Sequence, residues 1–388
     1  MRKLLAAPVN MSLSESETIL YQNMLKHVAE ITLNLMATKV TERPENFYEW
    51  CKELNRLCRE ELNLELLEPE QLPALKKLQD TLETGINIGQ LKMLRIAPWP
   101  AFYEHITANA ERQSLSERLN LLSYIQQIQS TPFADMIDED LLAIAGKHTA
   151  KHDISVYKFD VELFSSSKAA KVFITTFTQN PTAFEQALSL IPEEGEVTKA
   201  DYLNFVSAYQ AIFQEFADGA KAPLVPATRL LALRRPDQFV ALTNAKIEPL
   251  CQALSIAKFN TRDFNGYWNE LIETIRTQAW WKAPKPENDD EAVIWQSRAI
   301  LVDLFFFVSD EFAQGSNYVK LRDKPRKSSS TSTRKARSKE SIEVIVDRAL
   351  AEEGMPEYIK AQRESIISQA ATGKSVDQVI SLMRSIFG

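Results

Sequence analysis

Apolar residues recur at three- and four-residue intervals over most of the chain, the spacing that lines one face of an α-helix. Over 18–39 they are Ile19, Leu20, Leu25, Val28, Ile31, Leu35 and Met36, and after Pro44 they are Phe47, Trp50, Cys51, Leu54, Leu57 and Cys58. Ser12 and Ser14 each stand three residues before a glutamate, as in a capping box opening the first of these helices. Further helices are predicted over 70–84, stopped by Gly85, over 114–129, and over 135–145, stopped by Gly146. Helical spacing resumes over 181–190, 199–218, 227–233, 245–257, 261–278 and 288–312.

Between 154 and 178 the period shortens. Ile154, Val156, Phe159, Val161 and Leu163 sit among polar residues at nearly every second place, the pattern of a short strand pair. Beyond residue 340, Ile342, Ile345, Val346, Ala349 and Leu350 mark one helix, and Ile359, Ile366, Ile367 and Ala370 a second. Val376, Val379, Ile380, Met383, Ile386 and Phe387 mark a third, with Ser375 and Gln378 in capping-box register. The chain therefore reads as mostly α, a multi-helix body followed by a small C-terminal three-helix bundle. Its parts are an N-terminal helical subdomain over 12–150, a second mainly helical one over 151–319, a linker over 320–339 and the bundle over 340–388. No fixed-period repeat of a solenoid is present.

Composition supports this reading. The 388 residues are 45% apolar and 25% charged, ordinary for a globular protein, while 10 glycines and 17 prolines leave few turns for many short strands. None of those glycines falls in the spacing of a Walker A loop or a dinucleotide-binding turn, so no nucleotide cradle and no cofactor is expected. Cys51, Cys58 and Cys251 are odd in number and lie outside CxxC spacing, as buried thiols of a reducing compartment would. The basic N-terminal residues precede an apolar run too short for a secretory core, and the greasy stretch from Ile300 to Val308 is interrupted by Asp303. A cytoplasmic protein without membrane association is expected.

Charge changes the picture more than composition does. The net charge is −7, yet residues 320–339 hold nine Lys or Arg against the single acid Asp323 and carry +8, leaving −15 elsewhere. With Ser328-Ser329-Ser330-Thr331-Ser332-Thr333 at its centre, this segment reads as a flexible tether. Lys324, Arg326, Lys327, Arg334, Lys335 and Arg337 would supply sequence-independent, salt-sensitive attraction to nucleic-acid phosphates. Arg234 and Arg235 are further candidates, set at a helix end before Pro236, where the helix dipole alone also favours cations.

Two other features suggest chemistry. His148 and His152 are four apart, a spacing that puts both imidazoles on one helix face. However, Thr149 occupies the place of the glutamate a zinc hydrolase needs, so no metal is expected. Trp268, Trp280, Trp281 and Trp295 cluster within 28 residues beside Arg262, Arg276 and Lys282. Phe264, Trp268, Leu271 and Ile275 follow helical spacing and read as core anchors, which leaves Trp280 and Trp281 as candidates for lining a site.

Arg235-Pro236-Asp237-Gln238-Phe239-Val240, then Asn244, Gly266-Tyr267-Trp268, Trp280-Trp281, Trp295-Gln296-Ser297-Arg298-Ala299 and Leu301-Val302-Asp303 form a discontinuous signature. It resembles a module of bacterial restriction and phage-defence proteins related to modification-dependent restriction ATPases of the McrB type, over roughly residues 228–307. Because this chain has no Walker loop, the resemblance implies an accessory or DNA-engaging subunit and carries over no catalytic residue. The expected function is a non-catalytic, DNA-associated component of a bacterial defence or restriction system, partnered by another protein of that system. The alternative is a protein-interaction adaptor whose C-terminal bundle docks a partner. A metal-dependent hydrolase built on His148 and His152 is the most distant reading.

Overall fold

The computed structural model describes residues 2–4, 11–31, 39–40, 44–62, 67–308, 315–324, 342–351, 355–371 and 375–387, and they are mostly α-helical. They fall into two compact units, residues 1–86 with 325–388, and residues 87–324.

In the first unit, β1 (Arg2–Lys3) pairs antiparallel with β2 (Lys39–Val40), and the helices are α1 (Glu15–Ile31), α2 (Phe47–Glu60) and α3 (Leu72–Lys92), whose residues 87–92 count with the second unit. Of the apolar face predicted for the first helix, Val28 and Ile31 are buried, Ile19 is exposed, and Leu35 and Met36 lie outside the described residues. Asn46 caps α2 by accepting the Glu49 N–H at 2.9 Å. Its apolar positions Phe47, Trp50, Cys51, Leu54, Leu57 and Cys58 are all buried, and burial pushes the Cys58 thiol up to about 12. All three cysteines are buried free thiols. Gly85 does not stop α3, which runs on through it. A Cβ there would stand 2.9 Å from Cys51 Sγ and 3.2 Å from Met24 Cε, so this glycine is a close-packing residue rather than a helix stop.

The second unit contains α4 (Trp99–Ala108), α5 (Leu115–Ile128), α6 (Asp138–Ala145), α7 (Lys171–Gln179), α8 (Pro181–Ser189), α9 (Lys199–Phe216), α10 (Leu224–Arg234) and α11 (Asn244–Leu254). These are followed by α12 (264–276), whose centre Tyr267–Ile272 is a π-helix, then α13 (Ala279–Lys282), α14 (Asp289–Gln296), a 3-10 turn Ile300–Phe305 and α15 (Asn317–Arg322). One contiguous apolar core runs from Leu91 to Phe306 and spans residue 150. Phe264, Trp268, Leu271 and Ile275 lie in it as their spacing predicted, with the Trp268 ring 4.9 Å from that of Tyr202.

The strand pair expected over 154–178 is absent. Turns lead from α6 into α7, Val156 is exposed, and the backbone over 161–165 is satisfied without a strand. The backbone carbonyls of Val161, Leu163 and Ser165 all accept from the fully buried guanidinium of Arg229, as do those of Ala143 and Ile144. A side chain of α10 thus takes the place of a partner strand, and all five guanidinium N–H groups are used. Gly146 ends α6 in the left-handed conformation at φ 76°, as predicted.

The helix expected over 288–312 is broken. The N–H groups of Ala299 and Ile300 both donate to the Pro236 carbonyl, at 3.1 and 3.0 Å, instead of continuing the helical ladder from α14. Beyond the break, buried Asp303 binds Arg118 and Lys246. Burial alone pushes its carboxyl up, but the two cations hold it below its usual range.

The start of the basic segment is also ordered. Ser316 caps α15, the Asp160 carboxylate accepts the Asn317 N–H at 2.6 Å, and residues 320–322 are helical rather than part of a tether. In the remainder of the first unit, α16 (Ile342–Leu350), α17 (Glu357–Lys360), α18 (Arg363–Ala371) and α19 (Val376–Phe387) pack through Val346, Ile359, Ile366, Val379 and Met383. Ile342, Val344 and Ile345 on α16 are exposed.

Candidate functional site

Helix α10 ends at Arg235 because Pro236 disfavours helical backbone at the residue before it. The Arg235 side chain then folds back onto its own turn. Nε and Nη2 grip the Asp237 carboxylate at 2.8 and 2.9 Å, Nη1 donates to the Pro192 carbonyl at 2.6 Å, and Nη2 donates to that of Gly195 at 2.5 Å. Arg234 pairs with Glu193 at 2.8 Å. Both candidate arginines are therefore engaged by acceptors of the protein itself, and together they tie the acidic loop 192–196 to the helix end. Lys324 is exposed, whereas Arg326, Lys327, Arg334, Lys335 and Arg337 lie outside the described residues.

The break after α14 positions a second pair of arginines. Turned aside by the Pro236 carbonyl, Arg298 is 5% exposed and sits between two indoles, 4.2 Å from the Trp295 ring centre and 4.7 Å from that of Trp281. Its Nη1 donates to the Trp295 carbonyl at 2.9 Å, and its Nε is buried without a partner. Arg276 on α12 stacks on Trp268 at 4.7 Å and donates through Nη2 to the Val197 carbonyl and the Gln238 Oε1. Its own Nε is also buried without a partner. Such stacking fixes the guanidinium planes while leaving their edges free to donate.

These residues line a cleft of about 580 Å³. Arg235 and Arg298 form its buried part with the partly buried Arg276 beside them, Trp281 and Trp295 flank them, and Glu193, Glu194 and Glu196 line it as exposed residues. Burial pulls the Arg298 guanidinium down to about 10, with Asp237 opposing the shift and Arg235 adding to it, so the group remains a cation at neutral pH. The arrangement can bind an anionic group through pre-oriented donors, and it presents negative charge outside them.

The sequence identifies part of this site. Trp281 lines the cleft, but Trp280 is fully buried, stacked 4.6 Å from Phe102 and donating to the Leu94 carbonyl. Sequence reasoning misses Arg298 and the acidic loop as site residues. The signal that could have found the first is an arginine placed three residues after Trp295, within contact of an indole.

His148 and His152 lie in turns rather than on a helix, and their rings stack 5.5 Å apart. His152 is buried, accepts the Thr149 N–H at 2.9 Å through Nδ1 and donates to the Glu139 carbonyl through Nε2. Both of its nitrogens are therefore committed to backbone. Among the described residues no three His, Cys, Asp or Glu side chains are grouped to hold a metal, and no helix is long and apolar enough to cross a membrane. No protein-family model, curated protein or solved structure matches the chain.

Proposed function

We propose that this chain is a non-catalytic, cytoplasmic accessory component of a bacterial defence or restriction system that associates with DNA through its basic segment. The observation that carries the reading is the placement of nine Lys or Arg within residues 320–339 of an otherwise acidic chain. A local excess of this size attracts the phosphate backbone whatever the base sequence, through release of condensed counterions. The engagement of Arg234 and Arg235 within their own unit gives the segment, not the helix end, the main part in this attraction.

The test is titration of labelled duplex and single-stranded DNA at two salt concentrations. It compares the full chain with a variant in which Lys324, Arg326, Lys327, Arg334, Lys335 and Arg337 are all glutamine. Affinity is expected to fall in the variant, with a log–log salt slope shallower by about 0.7–0.9 for each phosphate that is no longer neutralised. Equal affinity and slope in the two proteins would exclude the segment as the nucleic-acid element.

That result would favour a protein-interaction adaptor. The exposed Ile342, Val344 and Ile345 on α16 support this second reading, because three large apolar side chains within four residues offer a partner a surface to bury.

A further inference from the structure

We propose that the cleft between α12 and α14 binds the free carboxylate of a basic peptide, with the C-terminal carboxylate on Arg298 and Arg276 and the preceding cationic side chains against Glu193, Glu194 and Glu196. The proposal rests on residues of the cleft alone and stands independently of the nucleic-acid reading.

Donor capacity is left unused in the cleft. Of the Arg298 guanidinium nitrogens, only Nη1 has a hydrogen-bond partner, the Trp295 carbonyl. The neighbouring Arg276 is met by a carbonyl, a side-chain amide and a distant carboxylate, Glu196 at 3.6 Å. Arg235 contrasts with both, since its fork is closed by Asp237 and two carbonyls. A buried guanidinium without a full set of acceptors is costly, and a carboxylate is the planar, bidentate acceptor that matches it. The two flanking indoles already have Arg298 between them, so they hold the guanidinium rather than offer a stacking platform for a base.

Charge placement sets the rest of the ligand. Glu193 and Glu196 have side chains 70% and 81% exposed, and Glu194 is exposed between them. Glu193 also meets Arg234, and Glu196 stands 3.6 Å from Arg276, but both reach solvent. Cations set beside one exposed acidic loop therefore disfavour a polyanion and favour a molecule that is negative at its tip and positive behind it. A volume of about 580 Å³ is within the range that encloses a small ligand, enough for the terminal residues of a peptide.

The experiment is calorimetric titration of the full chain with acetyl-tetralysine bearing a free C-terminal carboxylate, with its C-terminal amide, and with inorganic phosphate. The acid is expected to bind about tenfold or more tightly than the amide, the difference expected from one charge-assisted hydrogen-bonded contact. Arg298→Gln should abolish that difference, and Arg298→Lys, which keeps the charge without the fork, should reduce it. The exposed triple variant Glu193→Gln, Glu194→Gln, Glu196→Gln, whose positions contribute little to folding, should weaken binding of the acid. Equal binding of acid and amide, tighter binding of phosphate than of the acid, or unchanged affinity in the triple glutamine variant would each overturn the proposal. The acid–amide comparison needs no variant and decides the matter even if Arg298→Gln fails to fold.

Discussion

Tyr267 clamps Val240 in both directions: its hydroxyl donates to the Val240 carbonyl at 2.9 Å and accepts the Val240 N–H at 3.2 Å. Two pieces of the signature, Arg235-Pro236-Asp237-Gln238-Phe239-Val240 and Gly266-Tyr267-Trp268, are thus joined by one buried phenol. The Pro236 carbonyl joins a third through Ala299 and Ile300. Much of the signature is the bracing of one irregular turn, on which the arginine cleft is built.

Removing that phenol oxygen tests the bracing. Tyr267→Phe preserves ring packing but leaves the buried N–H and carbonyl of Val240 without a partner, a loss of about 1–3 kcal/mol. Urea denaturation should show the midpoint falling with an unchanged m-value. An unchanged midpoint would mean the turn is held without the hydroxyl.

Arg235 and Arg234 are adjacent and should behave differently. Arg235→Ala breaks an ion pair whose guanidinium is buried and whose carboxylate is partly exposed, and it frees two carbonyls, so stability should drop by about 2–4 kcal/mol. Arg234→Ala removes a pair whose glutamate is exposed and should cost no more than about 1 kcal/mol. Thermal melts of the two single variants measure this, and equal losses would contradict it.

The sequence was most informative where local pattern and local cause coincide. The buried face of α2 followed directly from the spacing of Phe47, Trp50, Leu54 and Cys58, and the end of α6 from Gly146, because helix amphipathicity and the left-handed cap are properties of neighbouring residues. It was misleading where the cause is distant. The residues around 298 keep an apolar, helix-like pattern, and the break there is imposed by a carbonyl from the turn at 236. Gly85 looks like a helix stop in one dimension and is a contact with Cys51 in three. The cleft was partly hidden for the same reason. Arg235 and Arg298 are alike in composition, and only the fold shows that one fork is closed and the other is not.

Stability should depend on pH through His105. Burial lowers its imidazole from the ordinary value, a Leu304 backbone contact opposes the shift in part, and the ring stacks 4.2 Å from Phe305. The unfolded state then binds the proton more readily than the folded state. The contribution of this group is complete above about pH 6.5 and is lost as pH falls from there toward the lowered folded value. His105→Gln should flatten the fall in denaturation free energy between about pH 7 and 5. Parallel curves for the variant and the parent would show that His105 titrates alike in both states.

Arg229 sits in a cage of backbone. Its five N–H groups meet five carbonyls drawn from α6 and from the turns over 161–165, with no carboxylate in contact. Burial pulls the guanidinium down to about 10, still well above neutral pH, so it remains charged and gathers these segments into one packed arrangement. Lysine carries three donors and cannot satisfy five carbonyls, so Arg229→Lys should cost at least about 2 kcal/mol. Arg229→Met, which satisfies none, should cost about 3–5 kcal/mol. Gly146→Ala reaches the same cage from the other side. Its Cβ would stand 2.5 Å from the Ser165 carbonyl oxygen and 2.7 Å from Arg229 Nε, at a φ that alanine adopts at a cost of about 1–2 kcal/mol. In denaturant titrations the double variant Gly146→Ala, Arg229→Met should then be less destabilised than the sum of the single variants, because the methionine side chain lacks the fixed planar group that the new methyl would strike. Strict additivity would show that the glycine serves the backbone turn alone and not the arginine.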